Sequence, residues 1–325
     1  MEHMQLSALA QAALDRRADL IAGLPETDCY RLLHGAVEGW PGLTVDRYGP
    51  LLVVQTFRAP LDAGEREALL AVYADLGLLP IFRHRGREPA EMPRPEAAAL
   101  ADHVGRELGL SYRIRAEHRG QDPLLFLDFR AGRRWVRANA AKCSVLNLFA
   151  YTCGIGVAAA AGGASSVLNV DFAASALDVG RENAALNGVS MKLLQSDAIP
   201  ALRQLAGLSI RGRAARRKYP RMGARQFDRV VLDPPTFARS PFGAVDLVRD
   251  YPALFKPAVL SCASGGMVLA TNHVSAVGLD EWLGGLTRCA AKAGRPLKRL
   301  EVLEPEGDFP PLNGGHLLKM AVCEV

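Results

Sequence analysis

The sequence predicts an α/β protein: a doubly wound, mostly parallel sheet with helices on both faces, preceded by a small α+β domain. Three observations predict it. From about Pro123 onward, apolar strand-like runs alternate with helical stretches, the pattern of parallel strands joined by helical crossovers. Four consecutive runs end in a glycine turn or an aspartate, at the sheet edge where such folds carry ligands. Before residue 123 the order is different, with one helix, three short strands and then a mixture of helix and strand. The expected domains are therefore 1–122 and 123–325.

In the first domain, "MEHMQLSALAQAALDRRADL" reads as an amphipathic helix ending near Ile21. It has no basic segment followed by an apolar block, so it does not read as a secretory signal. "YRLLHG", "LTVDRYG" and "LLVVQTF" read as strands separated by the turn-forming "EGWPG" and "YGP". A helix follows "PLDAGEREALLAVYADLG", with Asp62 placed to cap it. "LPIFRHR" and "LSYRIRAEH" read as further strands on either side of the proline-rich "REPAEMPRPE".

In the second domain, "LLFLDFR" reads as a short strand and "AGRRWVRANAA" as a helix. Arg130, Arg133, Arg134 and Arg137 fall on one helical face, either a solvated face or one that meets an anion. The strands that follow are "SVLNLFA", "SSVLNVD", "MKLLQSD", "FDRVVLD" and "MVLATN", with helices between them. "LKRLEVLE" and "LLKMAVCEV" have no helix between them, which predicts an antiparallel hairpin at one side of the sheet. No internal repeat is visible.

Composition narrows the classes. The chain has 325 residues, room for two domains. At 49% hydrophobic and 22% charged it supports a core, against wholesale disorder. No apolar run reaches about 18 residues, which argues against a membrane span. Cys29, Cys143, Cys153, Cys262, Cys289 and Cys323 are scattered with no CxxC pair. That argues against a disulfide framework or a metal site and fits a reducing cytoplasm. The net charge of +5 is local. Residues 211–225, "RGRAARRKYPRMGAR", carry seven cations and no acid, and without those seven the chain stands at −2. Arg211, Arg213, Arg216, Arg217, Lys218, Arg221 and Arg225 are therefore either a solvated basic loop or candidates for binding a polyanion, the class to which RNA belongs.

The strand ends define a candidate site. The first delivers "FAYTCGIG", in which Gly154 and Gly156 permit a tight turn and close approach of a ligand. The next three end at Asp171, Asp197 and Asp233. Each acid alone could be a helix cap, but three in register point to a ligand. An acid after the second strand suits ribose hydroxyls. There is no P-loop lysine, and although "GIGVAA" fits a dinucleotide fingerprint, carboxylates are poor company for a pyrophosphate. They suit a cationic nucleoside such as S-adenosylmethionine. In "DPPTF", Pro234 and Pro235 fix the backbone after Asp233, and Phe237 is either a core residue or, if the ligand's partner is a base, a face for it to stack on.

"VLNLFAYTCGIGVAAAAGGASSVLNVD", "ALDVGRENAALNG" and "FDRVVLDPPTFARS" resemble class I S-adenosylmethionine-dependent methyltransferases. More narrowly, these segments together with "YRLLHGAVEGWPGLTVDRYG" and "FLDFRAGRRWV" resemble the bacterial large-subunit ribosomal RNA cytosine-C5 methyltransferase family. The resemblance implies a Rossmann-like sheet, S-adenosylmethionine as cofactor with S-adenosylhomocysteine as product, and an RNA substrate, ribosomal in the family. It further implies that Phe149, Tyr151, Gly154 and Gly156 line the methionine side of the cofactor and that Asp128 also contacts it. Asp171 would bind the ribose, Phe172 would pack on the adenine and Asp197 would accept from its amino group. Asp233, Pro234 and Pro235 would lie between the cofactor and the target base. The family's PUA module has no room in this chain, and a homodimer is compatible with the pattern.

One residue departs from the resemblance. Methylation of cytosine at C5 needs a thiolate that attacks C6. The family's cysteine segment aligns with "LATNHVS", and Asn272 stands where the cysteine is expected. Cys153, in the cofactor loop, and Cys262, in what reads as a helix before "SGG", read as packing residues. The chemistry expected is direct transfer to a base nitrogen, with Asn272 holding a base edge and His273 a base, a contact or a structural residue. A displaced nucleophile, a small-molecule substrate, a nicotinamide oxidoreductase and a non-catalytic RNA-binding protein are the alternatives.

Overall fold

The structure is a computed structural model that describes residues 2–24, 26–87, 91–117, 122–210, 215–216, 218–240, 243–248 and 250–325, with backbone alone at 2, 237–240 and 243–246. It divides into two compact units, one of residues 1–130 with 306–316 and one of 131–305 with 317–325.

The first unit opens with α1 (Glu2–Ala22), β1 (Cys29–His34), α2 (Gly35–Glu38), β2 (Leu43–Tyr48) and β3 (Leu51–Thr56). It continues with α3 (Ala63–Val72), β4 (Leu79–His84), α4 (Ala97–Leu100), β5 (Asp102–Glu107) and β6 (Leu110–Arg115). The sheet runs β1-β2-β3-β4, antiparallel except that β3 and β4 are parallel, the crossover between them being α3. Leu6, Ala10 and Ala13 recur at helical spacing on α1 and close over Leu32, Leu43, Val45, Leu52 and Val54 of the sheet. Asp62 caps α3 in a full capping box with Glu65.

Two features of this unit differ from the sequence expectation. The hairpin β5–β6 turns at Leu108 and Gly109, both at positive φ (54° and 75°), a two-residue turn that the leucine disguised. "LLFLDFR" forms no strand. Leu124 has φ +79°, and Leu127–Phe129 is a 3-10 turn.

The second unit contains α5 (Arg130–Asn139, whose first residue belongs to the first unit), β7 (Ser144–Leu148), α6 (Gly154–Ala161) and β8 (Ser166–Asp171). Next come α7 (Ala174–Leu186), β9 (Lys192–Gln195), α8 (Ala198–Leu205) and β10 (Phe227–Leu232). A small hairpin, β11 (Phe237–Ser240) with β12 (Gly243–Asp246), is followed by α9 (Tyr251–Leu260) and β13 (Cys262–Asn272). The last elements are α10 (Leu279–Lys292), β14 (Arg299–Leu303) and β15 (Lys319–Glu324).

The arginine face of α5 is neither solvated nor open to an anion at its start. Arg130 is completely buried, with its guanidinium against Asp308, Glu306 (3.0 Å) and the Cys29 carbonyl (3.0 Å). Arg133 is also buried. The acids come from the connection between the last two strands, which folds with the first unit, so helical periodicity alone could not reveal them.

The main sheet runs β14-β15-β13-β10-β7-β8-β9 and is parallel except for β15. The two final strands do pair antiparallel, but β15 inserts between β13 and β14 rather than lying outside them. Val230, Val231 and Leu232 of β10 are fully buried, each worth about 1.5–3 kcal/mol against exposure. The strand order reverses between β7 and β10, so their carboxyl ends open a crevice. Cys262 is the first residue of β13, not part of a helix, and begins a strand of 11 residues.

Candidate active site

The loop after β7 departs furthest from ordinary geometry. Phe149, Tyr151 and Cys153 have φ of 57°, 48° and 62°, three non-glycine residues in the left-handed region within five positions. Such residues cost of order 1–3 kcal/mol each and persist only where their surroundings over-determine them. Here Ala150 N donates to Val170 O (3.0 Å) and Tyr151 N to Asp171 Oδ2 (2.8 Å). From α7, the buried Asn183 donates through Nδ2 to Thr152 O (3.0 Å). Nothing in the sequence singled out Asn183, although an asparagine on the apolar face of a helix was the available signal.

Asp171 ends β8 and is 8% exposed. Its Oδ1 accepts from Ala173 N at 2.9 Å. Burial pushes its carboxyl above the usual range, against the backbone N–H groups that favour its charge. The next residue is the opposite case, for Phe172 is 66% exposed, a large apolar ring left in solvent at this edge. Asp197 follows β9 and caps α8, with Oδ1 accepting from Ile199 N (2.8 Å).

Asp233 follows β10. Its Oδ1 takes both a short hydrogen bond from Thr271 Oγ1 (2.5 Å) and a contact with His273 Nε2 (3.1 Å). Its Oδ2 has no partner among the described residues. Pro234 is buried and Pro235 exposed, so the exit from the strand is rigid on one side and open on the other. At about 4.8 Å between strands, Asp233 and Asp171 stand roughly 10 Å apart across β7, with Asp197 one strand further.

The remaining candidates take up different positions. Asn272 is fully buried, and its Oδ1 accepts from Val274 N (2.8 Å). Strand alternation puts it on the face of the sheet opposite Thr271 and His273. Those two residues, not Asn272, therefore meet Asp233. Gly154 is the first residue of α6. Gly156 is buried, and a Cβ there would come within 2.2 Å of Asn169 Oδ1. Its lack of a side chain thus serves the packing of α6 on β8. Asp128 lies half-buried in the 3-10 turn of the first unit, where its charge acts on Arg31. The backbone of Phe237 belongs to β11, and its side chain lies outside the described residues.

Cys153, Cys262 and Cys323 are poor nucleophiles. Burial pushes the Cys153 thiol up to about 12, and its sulfur fills the space left by Gly180. Cys262, also raised to about 12 by burial, sits at the amino end of β13, on the order of 30 Å along the strand from Asn272. Cys323 is likewise raised to about 12 within β15.

In the basic segment, Arg211, Arg213 and Arg217 lie outside the described residues. Arg216, Lys218, Arg221 and Arg225 are exposed. The segment feeds the amino end of β10. Arg225 anchors it, stacking 4.6 Å over Phe227 and donating to Ser166 Oγ (3.1 Å). Among the described residues, no group of three His, Cys, Asp or Glu could hold a metal ion, and no helix is long and apolar enough to cross a membrane.

Comparison with known proteins gives a consistent result. A family model described as S-adenosylmethionine-dependent methyltransferase matches residues 30–323. A Deinococcus radiodurans protein named "Ribosomal RNA large subunit methyltransferase" is 32% identical over 315 residues, covering 90% of this chain and 72% of its own. "Ribosomal RNA large subunit methyltransferase I" of Escherichia coli K12 is 27% identical over 321 residues, covering 94% and 77%. Among solved structures, SMU.776 complexed with SAH superposes with a TM-score of 0.79 at 22% identity, over 99% of this chain and 82% of that one. A SAM-dependent methyltransferase from Agrobacterium tumefaciens gives 0.62 at 18%, over 87% and 88%. At those identities the two superpositions speak for the fold.

Proposed function

The chain belongs to the S-adenosylmethionine-dependent methyltransferase family, and from that membership we propose that it methylates a base of ribosomal RNA, at nitrogen. The names of the relatives support the substrate class, and ribosomal RNA would place the enzyme in the cytoplasm. The observation that carries the nitrogen target is Asp233, fixed through Oδ1 by Thr271 and His273 while Oδ2 stays open at the rigid end of β10.

The residues at the carboxyl edge fit the cofactor. Asp171 has lone pairs left for ribose hydroxyls after serving Tyr151 and Ala173. The solvent-exposed ring of Phe172 gives the adenine a face. Asp197 keeps one oxygen beyond its helix cap for the adenine amino group. Phe149, Tyr151 and Gly154 line the methionine end, and their strained loop is pre-organised by Asp171 and Asn183. Bound S-adenosylmethionine supplies a methyl group on a sulfonium, open to in-line attack.

Asp233 Oδ2 accepts from an N–H of the target base and aims its lone pair. A nitrogen methylated there would lose its proton toward that carboxylate, with S-adenosylhomocysteine as the leaving group. The single rigid acceptor supplies orientation without a covalent enzyme–base bond, in keeping with the buried, raised thiols of Cys153 and Cys262. Cations of the basic segment bind RNA phosphates.

The test is transfer of labelled methyl from S-adenosylmethionine to unmodified ribosomal RNA, followed by mass spectrometry of the nucleosides. A ring- or amino-methylated nucleoside is expected, and Asp233→Ala should lower kcat by about 10²–10⁴. 5-Methylcytidine would refute the nitrogen assignment, and absence of transfer to any RNA would refute the substrate class.

A further inference from the structure

In a parallel sheet all the amino ends share one edge. Here that edge is basic in several loops at once, and the basic segment is only one of them. Lys142 precedes β7, Lys192 begins β9 and Lys298 precedes β14. All three are exposed. Among the described residues none has a carboxylate within ion-pair distance, and the same holds for the four described cations of the segment before β10. The acids at this edge are already engaged. Asp228 accepts from Ser144 N and Oγ, both at 2.7 Å, and these bonds hold its carboxyl below the usual range. Glu324 faces Arg299 at 3.5 Å. The opposite edge carries Asp171, Asp197 and Asp233. The sheet is thus charge-polarised along its strands.

Arg225 and Asp233 are separated by eight residues of near-extended chain, on the order of 25 Å. That equals about seven nucleotide steps at about 3.4 Å each. A cation on the amino edge therefore cannot touch the nucleotides beside a base held at Asp233. Resting on the ribosomal RNA reading, we propose that the amino edge of the sheet is a second RNA-binding surface, which grips the phosphates of a segment remote from the target nucleotide. The enzyme then needs an extended, folded RNA for full affinity, and a short stem-loop bearing the target engages only the carboxyl edge.

The experiment compares two RNAs, a long unmodified large-subunit ribosomal RNA transcript and a stem-loop of about 20 nucleotides around the methylated position. The variants are Lys142→Gln/Lys192→Gln/Lys298→Gln and, separately, Arg216→Gln/Lys218→Gln/Arg221→Gln. These side chains are exposed and make no core contact, and a thermal melt checks that each variant is folded. For the long RNA, each variant should raise KM about tenfold or more near 0.15 M salt and flatten log–log salt dependence by about 2–3. For the stem-loop, KM and kcat should stay at the wild-type values, as should S-adenosylmethionine affinity. Two results would overturn the proposal: unchanged KM and salt slope on the long RNA, or equal weakening on both RNAs, which would put the cations beside the target. Wild-type protein that methylates neither RNA would instead remove the substrate reading itself, and this inference with it.

Discussion

Cys153→Ser is expected to leave methyl transfer intact, although Cys153 lies in the cofactor loop itself. The reasoning is electrostatic. Burial lifts the Cys153 thiol to about 12, so at pH 7 about one molecule in 10⁵ carries a thiolate. A nucleophile so rarely ionised would forfeit about 7 kcal/mol of the barrier before any chemistry. The replacement buries a hydroxyl without a near acceptor, since the sulfur already lies 3.8 Å from Tyr151 O, so Cys153→Ser should cost about 1–3 kcal/mol of stability while leaving the transfer step itself untouched. Cys153→Ala removes one small buried atom beside Gly180, at a cost of roughly 1 kcal/mol. The assay is single-turnover transfer by wild type, Cys153→Ser, Cys153→Ala and Cys262→Ala, with cofactor affinity measured in parallel. Rates within about threefold of wild type are expected throughout, along with no alkylation of Cys153 by iodoacetamide at pH 8 in the folded protein. A loss above a hundredfold in Cys153→Ser at unchanged cofactor affinity, or a trapped covalent RNA adduct, would refute the argument.

Three further outcomes follow from the packing. Gly156→Ala forces a methyl group onto the Asn169 amide and should cost about 1–3 kcal/mol in denaturant unfolding, part of it recovered in Gly156→Ala/Asn169→Ala. Asn183→Leu leaves the Thr152 carbonyl without its donor; about 1–3 kcal/mol of stability should go, and calorimetric S-adenosylmethionine affinity should fall further than in Gly156→Ala because the strained loop relaxes. Asp308→Ala takes from the buried Arg130 guanidinium one of its two carboxylates, leaving Glu306, and from Arg31 N its acceptor, and should lower stability by about 1–3 kcal/mol in a thermal melt.

The sheet was legible because parallel strands buried on both faces are written as apolar runs, and their ends were legible because charges there have few roles. By this logic Asp171, Asp197 and Asp233 were placed at or just beyond the ends of three strands, where the structure has them. What sequence could not show was the partner of each. Strand alternation turns Asn272 inward and brings Thr271 and His273 to Asp233, a difference of one residue that reverses the face. Gly156 looked like a loop glycine because its reason, the Asn169 side chain, lies on another strand. Arg130 of α5 gave no sign of its burial because its acids, Glu306 and Asp308, come from residues far along the chain. The hairpin at Leu108–Gly109 was hidden because leucine seldom adopts positive φ.

The pairing of Arg130 with Glu306 has a consequence for biosynthesis. The two residues are 176 positions apart. At about 5–20 residues per second, roughly 10–35 s of translation separate them. Throughout that interval the nascent first unit lacks residues 306–316 and cannot neutralise its buried guanidinium. Its completion must wait until nearly the whole sheet of the other unit has been synthesised. The methyltransferase therefore does not mature domain by domain from its amino terminus; its two units reach their native state almost together, and a chain stalled before Glu306 exposes an incompletely neutralised first unit to the proteases that survey unfinished proteins.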